Sequence, residues 1–187
     1  MTQPTPKGFI PPHGGYESLF SYQKAEIIYD GTVFFTKRFL KKGDRTIDQM
    51  VQAARSGKQN IAEASLASGT SKETEIKLTN VARASQEELL IDYFDFMRTN
   101  KIQEWPKEHP YAKRLQKLNR VRNPTYETYK LGIENPDPAI CANILIGLIK
   151  VTSYLLYKQI CRLEKDFMEN GGLREKMFNA RQASRKK

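Results

Sequence analysis

The pair Gly57-Lys58 is the first feature that could do chemistry, because a Gly-Lys dipeptide contacts phosphates in nucleotide-binding loops. That motif also requires a glycine five residues before the pair and a serine or threonine directly after it. Gln52 and Gln59 occupy these two positions, and no strand pattern precedes them. The sequence therefore predicts no nucleotide-triphosphate site at this pair.

A row of polar residues surrounds the same pair. Arg55, Gln59, Asn60 and Glu63 are spaced three or four residues apart, as neighbours on one helix face are. Such a row could form a structural polar network between helices or a small polar ligand site, and we expect the structural network. Gly57 is unfavourable within a helix by about 1 kcal/mol relative to alanine, which predicts a close approach of a neighbouring helix.

Residues for the common catalytic and metal sites are scarce. The two histidines, His13 and His109, lie outside every predicted long helix. Cys141 and Cys161 fall in one predicted helix about 30 Å apart, so they cannot form a disulfide there. We expect a non-enzymatic protein without metal or cofactor, in a reducing, cytoplasmic compartment. The start of the chain lacks the apolar segment of a signal peptide, and the most apolar run, 139–149, is too short to cross a membrane.

The net charge of +10, from 31 basic and 21 acidic side chains, is concentrated in two segments. Residues 112–130 and residues 171–187 each carry six basic side chains and one acidic side chain, which leaves 19 of each sign elsewhere. Basic segments of this kind are typical of surfaces that bind nucleic acid. The candidate nucleic-acid-binding residues are Lys113, Arg114, Lys117, Arg120, Arg122, Arg174, Lys176, Arg181 and Arg185.

Aromatic residues are interleaved with the charges of the first basic segment. Tyr111 precedes it, and Tyr126 and Tyr129 lie within it. Cations among aromatic rings suit RNA or single-stranded DNA, because bases stack on the rings while phosphates contact lysine and arginine. The alternative is a lid that packs over the end of the fold and keeps its charges in water.

Apolar residues recur at helical spacing in four long stretches, and no strand pattern occurs. The predicted long helices cover residues 22–40, 44–68, 70–98 and 138–170. The sequence Thr70-x-x-Glu73 predicts a capping box at the start of the third helix. A short basic helix is predicted at 111–121, and a loop is predicted from Asn123 onward.

Short connections between the first three helices predict an all-α fold, an antiparallel up-down four-helix bundle with a basic helical excursion before the last helix. The last helix is apolar around most of its circumference, which predicts a second interface and self-association. The predicted organisation is a flexible Pro/Gly-rich arm (1–15), the bundle (16–170, with its excursion at 100–136) and a basic C-terminal tail (171–187).

Several short motifs carry a resemblance to a known family. They are Tyr22-Gln23-Lys24-Ala25, Asp48-Gln49-Met50, Ala53-Ala54, Ser56 and Asn60-Ile61-Ala62-Glu63. This pattern resembles the four-helix-bundle family named for ribosomal-RNA intervening-sequence proteins, whose bacterial relatives include the accessory variability determinant of diversity-generating retroelements. Residues 70–90 and 163–174 are similar to its longer subgroup, the four-helix-bundle suffix domain. Gly57-Lys58 stands where the family usually has Ile-Pro, and Ala64 stands where it has glycine.

The resemblance implies a homo-oligomer, commonly a ring of five subunits, with nucleic acid, a ribonucleoprotein or a genetically linked protein as partner. Together with the two basic segments, it predicts a non-catalytic homo-oligomer that binds RNA or single-stranded DNA. The alternative is a structural scaffold that docks an acidic protein and binds no nucleic acid. We expect no membrane partner.

Overall fold

The computed structural model describes residue 10 and residues 13–185, and every regular element in this part of the chain is helical. A 3-10 turn, Tyr16–Ser18, precedes the first helix. The α-helices are α1 (Phe20–Phe39), α2 (Arg45–Ala67), α3 (Lys72–Thr99), α4 (Pro110–Leu118), α5 (Tyr126–Ile133), α6 (Pro138–Asn170) and α7 (Leu173–Arg185). The four long helices predicted from apolar spacing are confirmed as α1, α2, α3 and α6.

These four long helices enclose one core. Helix α1 packs against α2 and α6, and α3 packs against the same two helices. Across the core, the ring centroid of Phe35 on α1 lies 4.9 Å from that of Tyr93 and 4.8 Å from that of Phe96, both on α3. The buried Tyr93 hydroxyl donates a hydrogen bond to Thr32 Oγ1 at 3.1 Å. The protein is therefore all-α and bundle-like.

Helices α2 and α3 approach each other closely at Gly57. A side-chain carbon at Gly57 would overlap the carboxamide of Gln86 on α3, which confirms the close approach predicted at this glycine. Beside it, the hydroxyls of Ser56 and Ser85 lie 3.0 Å apart. Gln86 is fully buried, and its carboxamide nitrogen and oxygen have no hydrogen-bond partner among the described residues. The contact thus has no room for a larger residue at Gly57.

Helices α4 and α5 form the excursion before α6, and both pack on α6. Leu115 of α4 and Ile133 of α5 are buried. A side-chain carbon at Gly147 of α6 would overlap Leu115, and one at Gly132 of α5 would overlap Ile144 of α6. The apolar surface on the first half of α6 is thus covered within the chain, which removes the sequence argument for a second interface there.

Two details of the predicted helix boundaries are wrong. The predicted loop after Asn123 contains α5, whose first turn is closed by a hydrogen bond from the Thr125 N–H to Thr128 Oγ1 at 3.1 Å. The cap of α3 is Ser71 and not Thr70, because the Thr70 hydroxyl donates instead to a carbonyl at the end of α2.

The two ends of the described chain differ in how they attach. The predicted flexible arm, 1–15, lies mostly outside the described residues. Within it, the Gly14 N–H donates to the Ser65 carbonyl and the Ser65 hydroxyl donates to the Gly14 carbonyl, both at 3.1 Å. At the other end, Gly171, with φ of 62°, ends α6, and most of the basic tail forms α7, a helix that the sequence analysis did not predict.

Helix α6 is the most apolar element. By length and composition alone, the segment Pro138–Arg185 contains a stretch that could cross a membrane. This stretch is longer than the apolar run 139–149 that the sequence analysis considered too short to do so. Of that stretch, 56% is buried inside the protein, where α6 packs against the other helices.

Candidate nucleic-acid interface

A cleft of about 230 Å³ opens between α4, α5 and the start of α6. It lies within the excursion that carries the first basic segment. Aromatic and aliphatic side chains form most of its wall, and a few polar groups converge on it. The lining residues are Trp105, Tyr111, Arg114, Leu115, Leu118, Glu127, Thr128, Tyr129, Leu131, Gly132, Asn135, Ile140 and Ile144.

Three flat rings cluster at one wall of the cleft, and two of them, those of Trp105 and Tyr111, line it. The rings of Trp105 and His109 are stacked, with centroids 5.0 Å apart and planes within 6° of parallel. The half-exposed ring of Tyr111 lies 5.4 Å from Trp105 and 5.5 Å from His109. Such rings offer a platform on which a planar heterocycle can stack.

Helix α6 holds the tryptophan in place. The backbone N–H of Trp105 donates to Asn143 Oδ1 at 2.8 Å, and Asn143 Nδ2 donates to the Gln103 carbonyl at 3.2 Å. Asn143 is buried and also bonds the Ala139 carbonyl one helical turn earlier. The ring wall is therefore attached to one of the core helices, so its position is fixed before any ligand binds.

A buried lysine joins α1 to the far side of the cleft. Lys24 is fully buried, and its ammonium donates to Asn119 Oδ1 and to the Tyr129 hydroxyl, each at 3.0 Å. No carboxylate pairs with it among the described residues. Burial lowers the pKa of Lys24 to about 8 and raises the pKa of the Tyr129 hydroxyl to about 12. The charge is instead stabilised by oxygen dipoles and by the rings of Phe20 and Tyr129, at 4.9 and 5.4 Å from Nζ.

The basic residues predicted on the first segment lie on α4 and on the loop that follows it, in the same excursion as this cleft. All five are exposed, and within the described chain none of them forms an ion pair. They are Lys113, Arg114, Lys117, Arg120 and Arg122. Arg114 lines the cleft itself, whereas Lys130 pairs with Glu127 at 2.9 Å. The segment thus presents unneutralised positive charge beside an aromatic wall.

The second basic segment lies elsewhere in the structure. Its candidate residues are all exposed on α7, and they are Arg174, Lys176, Arg181 and Arg185. Helix α4 contacts α6 at Gly147, and α7 begins at residue 173. At a rise of 1.5 Å per residue along α6, the contact with α4 and the start of α7 lie about 40 Å apart. The structure therefore does not bring the two predicted sets into one site.

The polar row on α2 does not assemble into the predicted network. Arg55 and Glu63 are exposed, and Asn60 Nδ2 donates to the carbonyl and the hydroxyl of Ser56 at 2.9 and 3.2 Å. Across the described residues, no hydrogen bond or ion pair joins any two members of the row, which also includes Gln59. The reason is that helical spacing places the charged members toward solvent and not between helices.

Metal and thiol chemistry have little basis in the described part of the chain. There, no group of three or more His, Cys, Asp and Glu side chains lies close enough to hold a metal ion. Both cysteines are free thiols. Burial raises the pKa of Cys141 to about 12, so its reactive thiolate form is disfavoured.

Comparison of the chain with protein-family models, with curated proteins and with solved structures finds no match. The resemblance to the ribosomal-RNA intervening-sequence family therefore stays a prediction. The function is inferred from the geometry of the site.

The sequence analysis found the cations and missed most of the cleft. Trp105 and the polar lining residues Glu127 and Asn135 were not among the predicted site residues. A signal was present: the sole tryptophan of the chain stands four residues before a histidine and six before a tyrosine. That cluster ends in the first turn of the basic helix α4.

Proposed function

We propose that this chain is a non-catalytic protein that binds single-stranded nucleic acid, RNA or DNA, through α4, α5 and the cleft between them. One observation carries the proposal: an aromatic cleft has Arg114 in its lining and lies in the segment that presents four more exposed basic side chains, none of the five with an acidic partner among the described residues. Aromatic walls and free cations together are the chemistry that a strand of bases and phosphates requires.

The dimensions of the cleft favour a single strand over a duplex. A cleft of about 230 Å³ can take one unstacked base against Trp105 and Tyr111, whereas paired bases remain inside a double helix. Arg114 at the rim is placed to contact the phosphate attached to that base. Lys113 and Lys117, one turn apart on α4, extend the positive surface for neighbouring phosphates.

The single tryptophan provides a direct test. Binding of a base in the cleft should quench Trp105 fluorescence, and titration with a labelled single strand should show weaker binding as salt rises. Replacement of Arg114 and Lys117 by serine should weaken binding and reduce the salt dependence by about two charges. The matched control replaces Arg181 and Arg185 on α7. Binding that is insensitive to salt, or that leaves Trp105 fluorescence unchanged, would refute the proposal.

The alternative is a scaffold that docks an acidic protein through the same cations. Unpaired positive charge alone would serve either partner, but the stacked ring wall favours bases. If the chain retains its protein partner after nuclease treatment and gives no titration with single strands, the scaffold function is correct.

We further propose that α1, α2, α3 and α6 form an antiparallel up-down four-helix bundle and that the chain self-associates in the cytoplasm. Support for self-association comes from apolar side chains that remain exposed near the C-terminal end, Met168, Met177 and Phe178. A ring of five subunits is what the family resemblance implies. Light scattering coupled to gel filtration measures the mass, and a monomer at micromolar concentration would contradict self-association.

A further inference from the structure

A second depression, of about 270 Å³, lies in the groove between α3 and α6. It contains two tyrosines, Tyr154 and Tyr157, whose side chains are 60% and 47% exposed. It also contains Arg83, whose guanidinium lies over the Tyr157 ring at 5.5 Å from the centroid, and the ammonium of Lys150. The groove thus combines exposed rings with two cations, of which Lys150 is paired with Glu104.

Two buried donors in this groove lack partners. The Nε of Arg83 and the hydroxyl of Ser153 are inaccessible to solvent and form no hydrogen bond within the described chain. Ser153 is 6% exposed as a residue and lines the groove together with Arg83. Buried donors without acceptors are unfavourable, and rotation of either side chain toward the groove would bring its donor to a phosphate oxygen.

The groove adjoins the α4–α5 cleft through a third depression between α4 and α6. That depression shares Trp105 and Leu115 with the cleft and Lys150 with the groove, and Lys107 adds a further cation. The residues that α6 contributes recur every three or four positions, so they lie along one face of the helix. The face extends about 26 Å from residue 140 to residue 157, the length of about seven stacked nucleotides.

Acidic side chains also line this path, and most are neutralised. Glu104 pairs with Lys150, and Glu127 pairs with Lys130. Glu87, the third carboxylate on the path, lines the α3–α6 groove together with Arg83 and Lys150 and forms no ion pair within the described chain. The carboxylates along this path therefore do not exclude a polyanion.

We infer that a single strand bound in the α4–α5 cleft continues along α6 into the α3–α6 groove. There Arg83 and Ser153 contact a phosphate, and Tyr154 and Tyr157 stack with bases. This inference rests on the proposed function and adds a second contact region, on helices outside both basic segments. It predicts that affinity grows with strand length until the groove is filled.

The test uses fluorescently labelled oligothymidylates of four and twelve nucleotides, and anisotropy measured at low salt. Four stacked nucleotides span about 14 Å, about half of the path, so a 4-mer seated in the cleft does not reach Tyr157, whereas twelve nucleotides do. We expect Arg83→Gln combined with Tyr157→Ser to weaken binding of the 12-mer about tenfold and to leave the 4-mer unchanged. The matched control is Arg162→Gln combined with Tyr16→Ser, which removes the same groups away from the groove.

The outcomes separate this inference from the proposed function. If wild-type protein binds neither oligonucleotide, both fail. If it binds both but the Arg83 and Tyr157 variant retains wild-type affinity for the 12-mer, or the control variant loses as much, the groove does not bind the strand and only the cleft remains. A length-dependent loss confined to the groove variant supports the inference. Circular dichroism melting of each variant establishes that the fold is intact.

Discussion

The buried lysine in α1 allows a sharp test of the physical reasoning. Lys24 is enclosed without a carboxylate partner, and its pKa falls from 10.5 to about 8. A shift of this size means that the folded protein disfavours the charged amine by about 3 kcal/mol relative to the unfolded chain. We therefore examine Lys24→Met, which retains the length of the side chain and removes its charge.

The sign of the pH effect follows from proton binding. Between about pH 8 and 10.5 the unfolded chain binds a proton at Lys24 that the folded protein does not, so the stability of the wild type rises with pH through this window. The Met variant lacks this titration. From pH 7 to about pH 9.5, the free energy of unfolding of the wild type should therefore increase by about 2 kcal/mol relative to that of the variant.

Urea denaturation of both proteins at the two pH values measures this difference. The Tyr129 hydroxyl, the ionisable group hydrogen-bonded to Lys24, has a pKa of about 12 and stays protonated in the folded state throughout. As a matched control, Lys158→Met makes the same replacement at an exposed lysine on α6. A difference for Lys24→Met that does not change with pH would refute the reasoning, because it would mean that water reaches the amine.

Three further predictions follow from the packing. Gly57→Leu should lower the free energy of unfolding, measured by urea denaturation, by about 1–3 kcal/mol, because the new side chain overlaps Gln86. Adding Gln86→Ala to the same chain should restore part of this loss. An unchanged melting temperature of the Gly57→Leu variant would contradict the close contact. A disulfide reagent at pH 8 should modify the partly exposed Cys161 well before the buried Cys141, and equal rates in the folded protein would show that Cys141 is accessible. Asn143→Ala should destabilise the protein by about 1–2 kcal/mol and shift the fluorescence emission of Trp105 to longer wavelength. An unaltered emission spectrum would show that the Asn143 side chain does not hold the Trp105 ring in place.

The long helices were predictable because their signals are local. The prediction for α6 agrees with the structure at both ends: Asp137 caps it, Pro138 opens it, and Gly171 ends it with a positive φ. Helix α5 was missed because it has only eight residues, follows Pro124, and closes its first turn with two threonines in place of the usual Ser/Thr and Glu/Gln pair.

The site was predictable only in part, for a different reason. Charge is visible in sequence, so the cations around Arg114 were found. The cleft depends on the meeting of Trp105, α4 and α5, which are brought together by tertiary contacts to α6. The apolar circumference of α6 indicated that other side chains must cover this helix, but it did not show which ones. In the structure, Leu115 and Ile133 of the same chain cover it. The sequence pattern alone could not distinguish these residues from a second subunit.

The packing of α4 and α5 on α6 means that the proposed binding segment is not a module. Leu115, Tyr129 and Ile133 belong to the same continuous hydrophobic core as Phe35 and Tyr93, so excision of residues 100–136 would expose the apolar face of α6 and unfold the body that carries it. The segment cannot be transplanted to another protein or deleted as a control. Affinity and stability share their residues here, and only substitutions at the exposed rim can separate the two.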